Sequence, residues 1–264
     1  MLPISVVIIT KNEESNIGAC IQSALLLTND VIVVDSKSED NTLQVAAGAG
    51  ATTVSIDWKG YGHSRNIGAA KAKHEWILSL DADERITPSL VRNLRNLQLN
   101  NPFTVYKLKR ANHFNYKPVR FGTLGFETVT RLYNRNSAQW NAFPVHEKLE
   151  GSLTKTVTLN SPLLHFGISN KQTYIQKKRH YARLSALRYL QQGKKPRFFK
   201  QTLAPIFNAT KSYVFQLGFL DGNEGWFLAK TIHHYTKLKY RYLSQFSSQN
   251  VEELKNITLE AVIS

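Results

Sequence analysis

Residues Trp76 to Leu80 form an apolar run broken only by Ser79, and it ends in three carboxylates, Asp81, Asp83 and Glu84. Trp76, Ile77, Leu78 and Leu80 suit a strand covered on both faces, which places this segment inside a sheet flanked by helices. The acidic cluster then falls at the strand's carboxyl end, the edge where open α/β sheets bind ligands. Asp81 and Asp83 share one face if the strand continues, and a tight turn converges them on a single ion. Oxygen ligands of this kind suit Mg²⁺ or Mn²⁺ carrying a diphosphate. Taken alone, Asp-x-Asp after a strand reads equally well as a solvated loop, so what precedes it matters.

The first hundred residues alternate strand and helix. Ser5–Thr10, Val31–Asp35 and Thr52–Ile56 read as strands. A helix from about Ser15 sets Ile17, Cys20, Ile21, Ala24 and Leu25 on one face by their spacing. Asp40, Asn41 and Thr42 supply capping side chains for a short helix that stops at Gly48 and Gly50. A helix around Ser64–Lys73 leads into the strand ending at Asp81. Thr87-Pro88 signals another helix start, with Leu90, Val91, Leu94 and Leu97 as its buried stripe. Four βα units in succession predict an α/β fold whose mostly parallel sheet has helices on both faces.

After Pro102 the pattern changes. Thr104–Phe114 and Thr128–Tyr133 read as strands of mixed polarity, and from Asn170 to about Leu243 the chain reads as helices. The expected divisions are two halves of one domain, 1–101 and 102–169, and a helical extension, 170–264. The single cysteine, Cys20, excludes a disulfide within the chain and reads as a packing residue. The apolar start Leu2–Ile9 has no basic leader and is too short to span a bilayer, so neither a targeting segment nor a spanning helix is expected. The net charge of +15 favours acidic partners.

Four loops fall at the ends of these elements: Thr10-Lys11-Asn12-Glu13, Asp35 to Thr42, Gly62 to Gly68, and Asp81-Ala82-Asp83-Glu84. Together they offer carboxylates and amides for a base and ribose, an arginine for phosphate, and a metal site. Asp40 and Thr42 read more simply as caps, Gly68 as close packing, and Arg65 as a partner for a nearby carboxylate.

The ordered set Ser-Val-Val-Ile-Ile-Thr-Lys-Asn-Glu, Val-Asp-Ser-x-Ser-x-Asp-x-Thr, Arg-Asn-x-Gly and Leu-Asp-Ala-Asp-Glu resembles the family 2 glycosyltransferases. The resemblance implies a GT-A (Rossmann-like) fold and an inverting transferase that uses a nucleotide-sugar donor. Carried over by position, Thr10, Asn12, Glu13 and Asp35 contact uracil and ribose. Arg65 flanks the base or diphosphate, and Asp81 and Asp83 serve ribose and metal, Mg²⁺ or Mn²⁺. Asp35-Ser36 departs from the commoner Asp-Asp pair, which leaves open the group that meets the base.

An incoming hydroxyl must lose its proton opposite the leaving diphosphate. Glu147, in Phe143-Pro144-Val145-His146-Glu147-Lys148, is the candidate base, and His146 orients the acceptor or touches the metal. The plainer alternative pairs Glu147 with Lys148 at the surface. His165 sits in an apolar setting and is either a core histidine or, by the resemblance, a completing metal ligand. Trp58, Tyr61 and Trp140 are either sugar platforms or core.

The C-terminal helical extension interleaves basic and aromatic residues over Lys171–Arg188 and again from Lys230 to Tyr242. Such faces suit contact with an anionic membrane surface, or else pack inward with solvated charges. No nucleic acid is expected, because no nucleic-acid-binding signature accompanies the charge. Gly218-Phe219-Leu220-Asp221-Gly222 with its aromatic-basic surroundings resembles the C-terminus of bacterial lipopolysaccharide core β-1,4-glucosyltransferases. That resemblance implies UDP-glucose as donor and a phosphorylated glycolipid acceptor, the lipopolysaccharide inner core. It also implies a cytoplasmic enzyme held peripherally at the inner membrane.

Overall fold

The structure is a computed structural model that describes residues 3–125, 127–141, 147–168, 170–196 and 198–248. In chain order its elements are β1 (Ile4–Thr10), α1 (Glu14–Leu25), β2 (Val31–Asp35), α2 (Thr42–Gly48), β3 (Thr52–Ser55), α3 (Tyr61–Lys71), β4 (Trp76–Asp81), β5 (Glu84–Ile86) and α4 (Pro88–Arg95). There follow β6 (Thr104–Phe114), β7 (Lys117–Pro118), α5 (Gly122–Gly125), β8 (Thr128–Asn134), β9 (Ala138–Trp140), β10 (Leu149–Gly151) and β11 (Lys155–Ile168). The chain ends in α6 (Lys171–Gln191), α7 (Phe198–Thr210), a π turn (Lys211–Phe215), a 3-10 turn (Gly218–Asp221) and α8 (Gly222–Phe246).

Contacts divide the chain into two compact units, Met1–Ala111 with Glu127–Gly167, and Asn112–Phe126 with Ile168–Ser264. Strands on both sides of residue 101 join one sheet, and residues 112–126 group with the C-terminal helices and not with the rest of 102–169.

In the first unit the sheet runs β3-β2-β1-β4-β8-β6-β11-β5. The pairs β1–β2, β1–β4 and β2–β3 are parallel, as the βα alternation requires, whereas β8 joins β4 antiparallel. Every residue of β1 and β2 is buried, the composition a strand covered on both faces demands. Ile17, Cys20, Ile21 and Ala24 of α1 pack on one face of the sheet, and each fully buried Ile or Leu contributes about 1.5–3 kcal/mol. Leu25, expected on that stripe, is 37% exposed. Burial raises the Cys20 thiol well above its ordinary pKa, in keeping with a packing role. Thr87 Oγ1 accepts from the Leu90 N–H at 3.2 Å and caps α4.

A Cβ at Gly68 would lie 2.3 Å from Val7 Cγ1, so α3 packs against the sheet at a distance only glycine allows. Asn66, in the same Arg-Asn-x-Gly motif, clamps β9 by donating to the Trp140 carbonyl at 2.8 Å and accepting from its N–H at 3.0 Å. Strand β11 pairs antiparallel with β5, setting His165 opposite Glu84. The sequence reading had not assigned β5, β9, β10 or β11 as strands.

The second unit is a helical assembly. Tyr235 on α8 meets Ser185 on α6 at 2.9 Å, and Tyr189 and Tyr240 lie edge to face at 6.4 Å. Asp221 accepts from the backbone N–H groups of Arg120 and Phe121 at 3.2 and 2.9 Å. A Cβ on Gly225 would stand 1.8 Å from the Gly218 carbonyl oxygen, and one on Gly218 would stand 2.6 Å from that of Ser212. Gly218 is therefore held in a clasp of close backbone contacts between Ser212 and Gly225. No described helix is long and apolar enough to cross a membrane.

Candidate active site

Asp81 ends β4 between two guanidinium groups. Arg65 Nη2 reaches its Oδ1 at 2.6 Å, and Arg131 Nη2 reaches its Oδ2 at 2.6 Å. Arg131 turns the same nitrogen to Glu84 Oε1 at 2.7 Å, and Arg110 stands 3.5 Å from that oxygen. Glu84 is fully buried and accepts from the Asp81 backbone N–H at 3.0 Å, which closes the two-residue turn through Ala82 and Asp83. Arg110 is fixed from its other side by Glu127, 2.7 Å away. Burial alone raises a carboxyl's pKa. At Asp81 the charges of Arg131, Arg65 and Arg110 outweigh that effect and hold the group well below the usual range. Arg131 is likewise held cationic: burial disfavours its charge, and Asp81 and Glu84 restore it.

Asp83 faces His165 across the turn. Its Oδ2 lies 3.4 Å from His165 Nε2, and the Phe166 N–H donates to the Asp83 carbonyl at 2.9 Å. A Cβ at Gly167 would lie 2.5 Å from His165 Cε1, 2.6 Å from Nε2 and 3.0 Å from Asp83 Oδ2. The missing side chain at Gly167 thus keeps a cradle open against both donors. One carboxylate oxygen and one imidazole nitrogen suit Mn²⁺ or Mg²⁺, the nitrogen favouring the former. Among the described residues no group of three or more His, Cys, Asp or Glu side chains is placed to hold an ion. Asp81, which the spacing paired with Asp83 on one ion, turns instead to Arg65 and Arg131.

Glu147 Oε1 lies 3.4 Å from Arg65 Nε, not against Lys148 at the surface. Arg65 is 2% exposed; it also donates to Ser79 Oγ at 2.5 Å and lies over the Trp140 ring, 5.2 Å from its centroid. Its fork is therefore spent on Asp81, Ser79 and Glu147, the pairing weighed for it as the plainer alternative. Trp140 is buried and stacks edge-on to Tyr133, so it belongs to the core. His146 lies outside the described residues.

The loop after β1 and the loop after β2 hold each other. The Asn12 N–H donates to Ser38 Oγ at 2.8 Å, and the Asn12 side chain accepts from the Glu39 N–H at 2.9 Å. Asn12 and Lys37 both adopt left-handed backbone, φ 54° each. Asp35 is fully buried, and its carboxylate accepts from the Ser38 N–H at 2.9 Å and from the Ser38 hydroxyl. Glu13 donates its N–H to Thr42 Oγ1 at 2.8 Å and accepts from the Asn16 side chain at 2.7 Å. Asp40 accepts from the Thr42 N–H at 3.0 Å just before α2, whose N-cap residue Asn41 makes no side-chain cap bond. Thr10 is buried at the end of β1, where its Oγ1 makes no hydrogen bond among the described residues. Thr10, Asn12, Glu13 and Asp35 thus gather at the carboxyl ends of β1 and β2.

Arg131, Arg110 and Gly167 were missed by sequence reasoning, and Glu84 was given no role of its own. A charged residue in the buried half of a strand was the available signal for Arg131, since such a residue requires a buried counter-charge.

Residues 5–151 match Glycosyl transferase family 2. An uncharacterized glycosyltransferase of Rickettsia prowazekii is 28% identical over 269 residues, covering 95% of this chain and 90% of that protein. A lipopolysaccharide core biosynthesis glycosyltransferase of Rhizobium meliloti, LpsC, is 28% identical over 216 residues, 77% of this chain and 78% of its own. Among solved structures, a mannosyltransferase of Pyrobaculum calidifontis in complex with GDP-Man and Mn²⁺ superposes with a TM-score of 0.54 at 15% identity, over 94% of this chain and 88% of that one, and shares the fold. With a parallel sheet ending in Asp81-Ala82-Asp83 and a family match over more than half its length, the chain belongs to glycosyl transferase family 2.

Proposed function

We propose that this enzyme moves a hexose, glucose by resemblance, from a uridine-diphosphate sugar to a heptose of the lipopolysaccharide inner core, with inversion at the anomeric carbon. The observation that carries this reading is the convergence of Asp83, His165 and Glu147 around the Arg65–Asp81 pair at the carboxyl rim of β4. Thr10, Asn12, Glu13 and Asp35 line the same rim and serve the base and ribose, Asp35 by shaping the loop that Ser38 closes. Asp83 and His165 hold Mg²⁺ or Mn²⁺, and Asp81 positions Arg65. A bound divalent cation supplies charge for the departing diphosphate.

Glu147 takes the proton of the acceptor hydroxyl. The Arg65 Nε contact at 3.4 Å aims that carboxylate, and a base so held needs no rearrangement as the hydroxyl attacks. His146 adjoins it in sequence and serves the acceptor. The lipopolysaccharide relative and the strongly basic chain support a phosphorylated glycolipid acceptor at the cytoplasmic face of the inner membrane. Another lipid-linked saccharide is the nearest competing acceptor.

The decisive experiment measures hydrolysis of a panel of nucleotide sugars with and without Mn²⁺ or Mg²⁺, then transfer to core acceptors truncated at known sugars. Cation-dependent turnover of UDP-glucose and transfer to a heptose-terminated core are expected. Turnover of every sugar except the uridine-linked ones would overturn the donor, and transfer only to non-heptose lipids would overturn the acceptor.

A further inference from the structure

The basic-aromatic stretches expected to meet lipid are Lys171–Arg188 on α6 and Lys230 to Tyr242 on α8, yet the apolar side chains of α6 turn inward. Ala182, Leu184, Ala186 and Leu187 are buried, and Tyr189 lies under Lys239 of α8, 4.7 Å from the ammonium to the ring centroid. The exposed apolar surface of the second unit lies elsewhere, on α7 and the turn that follows it. Phe199 is 75% exposed, Leu203 58%, Ile206 54%, Phe207 62% and Phe215 75%.

The first four of these recur at helical spacing along one side of α7. The opposite side holds Pro205, which is buried, and Asn208, which donates to Thr236 Oγ1 of α8 at 3.3 Å. α7 is therefore fixed to α8 by one face and presents the other to its surroundings. Monomeric soluble proteins rarely leave a continuous apolar face of this kind uncovered.

Charge selects what covers it. Between Gly151 and Asn250 the only acidic residues are Asp221 and Glu224. Both are engaged inside the unit, Asp221 with the backbone of Arg120 and Phe121, and Glu224 with Lys117 at 3.1 Å. Lys200 on α7, Lys211 on the π turn and Lys230 on α8 are exposed, and Lys230 lies 4.9 Å from the Trp226 ring centroid. A second copy of the chain would bring a surface of the same sign against this one and be repelled. An anionic bilayer offers hydrocarbon to the phenylalanines and leucine and phosphate to the lysines.

We propose that α7 and the π turn after it lie in the interface of an anionic membrane, with Phe199, Leu203, Ile206, Phe207 and Phe215 in the acyl boundary and Lys200, Lys211 and Lys230 at the headgroups. The proposal rests on the membrane-bound acceptor of the proposed function for its purpose, and within the C-terminal extension it assigns the apolar part of that contact to α7.

The test is co-sedimentation of the full chain with vesicles of phosphatidylcholine alone or mixed with phosphatidylglycerol. Wild type is expected to bind the anionic vesicles and to release as salt rises. The triple variant Leu203→Ser, Ile206→Ser, Phe207→Ser changes exposed positions only and is expected to bind about tenfold more weakly. Brominated acyl chains are expected to quench Trp226 emission, and the quenching should vanish in Trp226→Phe. Unchanged binding by a folded triple variant overturns the proposal, as does a lipid-free dimer that this variant abolishes. Calorimetric binding of uridine diphosphate by the same samples reads the donor site separately. Its loss with vesicle binding intact would sink the functional reading and leave this surface standing.

Discussion

Arg65 and Glu147, 82 residues apart in the chain, meet at 3.4 Å between Nε and Oε1. The same guanidinium holds Asp81 at 2.6 Å, so one buried side chain ties the end of β4 to the proposed base. Lysine keeps the charge at this position and loses the planar fork that makes both contacts together. Arg65→Lys is expected to lower transfer about a hundredfold, the usual cost of misplacing a reacting group by an ångström. A circular dichroism spectrum and melting curve close to wild type would locate the loss in positioning.

Glu147→Gln preserves shape and removes the basic oxygen. Transfer should fall about 10²–10⁴-fold, while uridine-diphosphate affinity measured by calorimetry stays unchanged. Wild-type turnover by this variant would remove Glu147 from the chemistry.

Gly167 separates metal binding from folding. Alanine there places a methyl group 2.5 Å from His165 Cε1 and 3.0 Å from Asp83 Oδ2, in the cradle between the two proposed donors. Mn²⁺ affinity in the presence of uridine diphosphate is expected to fall roughly 10–100-fold in Gly167→Ala and further in Asp83→Ala. Manganese titration followed by electron paramagnetic resonance checks both. Equal affinity in all three proteins would place the cation elsewhere.

Arg131 answers the buried Glu84 and the half-buried Asp81, so its removal leaves both without their main counter-charge. Arg131→Met is expected to destabilise the first unit by about 3–5 kcal/mol, read from urea unfolding. The pH dependence has a definite sign. Because the Asp81 carboxyl is held below its unfolded value, its contribution is fully present above about pH 4 and is lost as pH falls through the lower folded value. Wild type should therefore keep this contribution into mild acid. Arg131→Met, whose Asp81 titrates nearer its ordinary value, should lose the remaining part at higher pH.

The parallel half of the fold was legible in the sequence because each of its elements has a local signal. β1, β2 and β4 are apolar runs, α1 and α4 carry periodic stripes, and Thr87-Pro88 marks a helix start. Strands β9 and β10 are three residues each, too short for a periodic signal; β11 has one in the alternation of Thr156-Val157-Thr158-Leu159, but its pairing with β5 joins segments far apart in the chain. The same reason hid half of the site. Asp81, Asp83 and Glu84 stand in one motif, but their partners Arg131 and His165 arrive on strands that pair only in three dimensions. A motif shows which carboxylates gather, while the cations that hold them are set by topology. Asp81 illustrates the consequence: its spacing suited a metal, and its neighbours make it an anchor for arginines.

The clasp in the second unit gives a prediction independent of catalysis. Gly225 and Gly218 bring α8 and the 3-10 turn so close that a single methyl group on Gly225 would fall 1.8 Å from a backbone carbonyl oxygen. Backbone cannot swing aside as a side chain does, so relief requires α8 to move from the turn. Asp221, which closes the same region through two backbone N–H groups, is the milder position. Gly225→Ala is expected to cost about 3 kcal/mol or more, and Asp221→Asn about 1 kcal/mol, because the amide oxygen still accepts one bond. Limited proteolysis distinguishes this from global loss: cleavage after Phe215 or within α8 should appear first in Gly225→Ala, with the Met1–Ala111 segment still protected. If both variants resist protease as wild type does, the close approach of Gly225 to Gly218 is not a constraint on the fold, and the Gly218–Gly222 motif must be retained for some other contact.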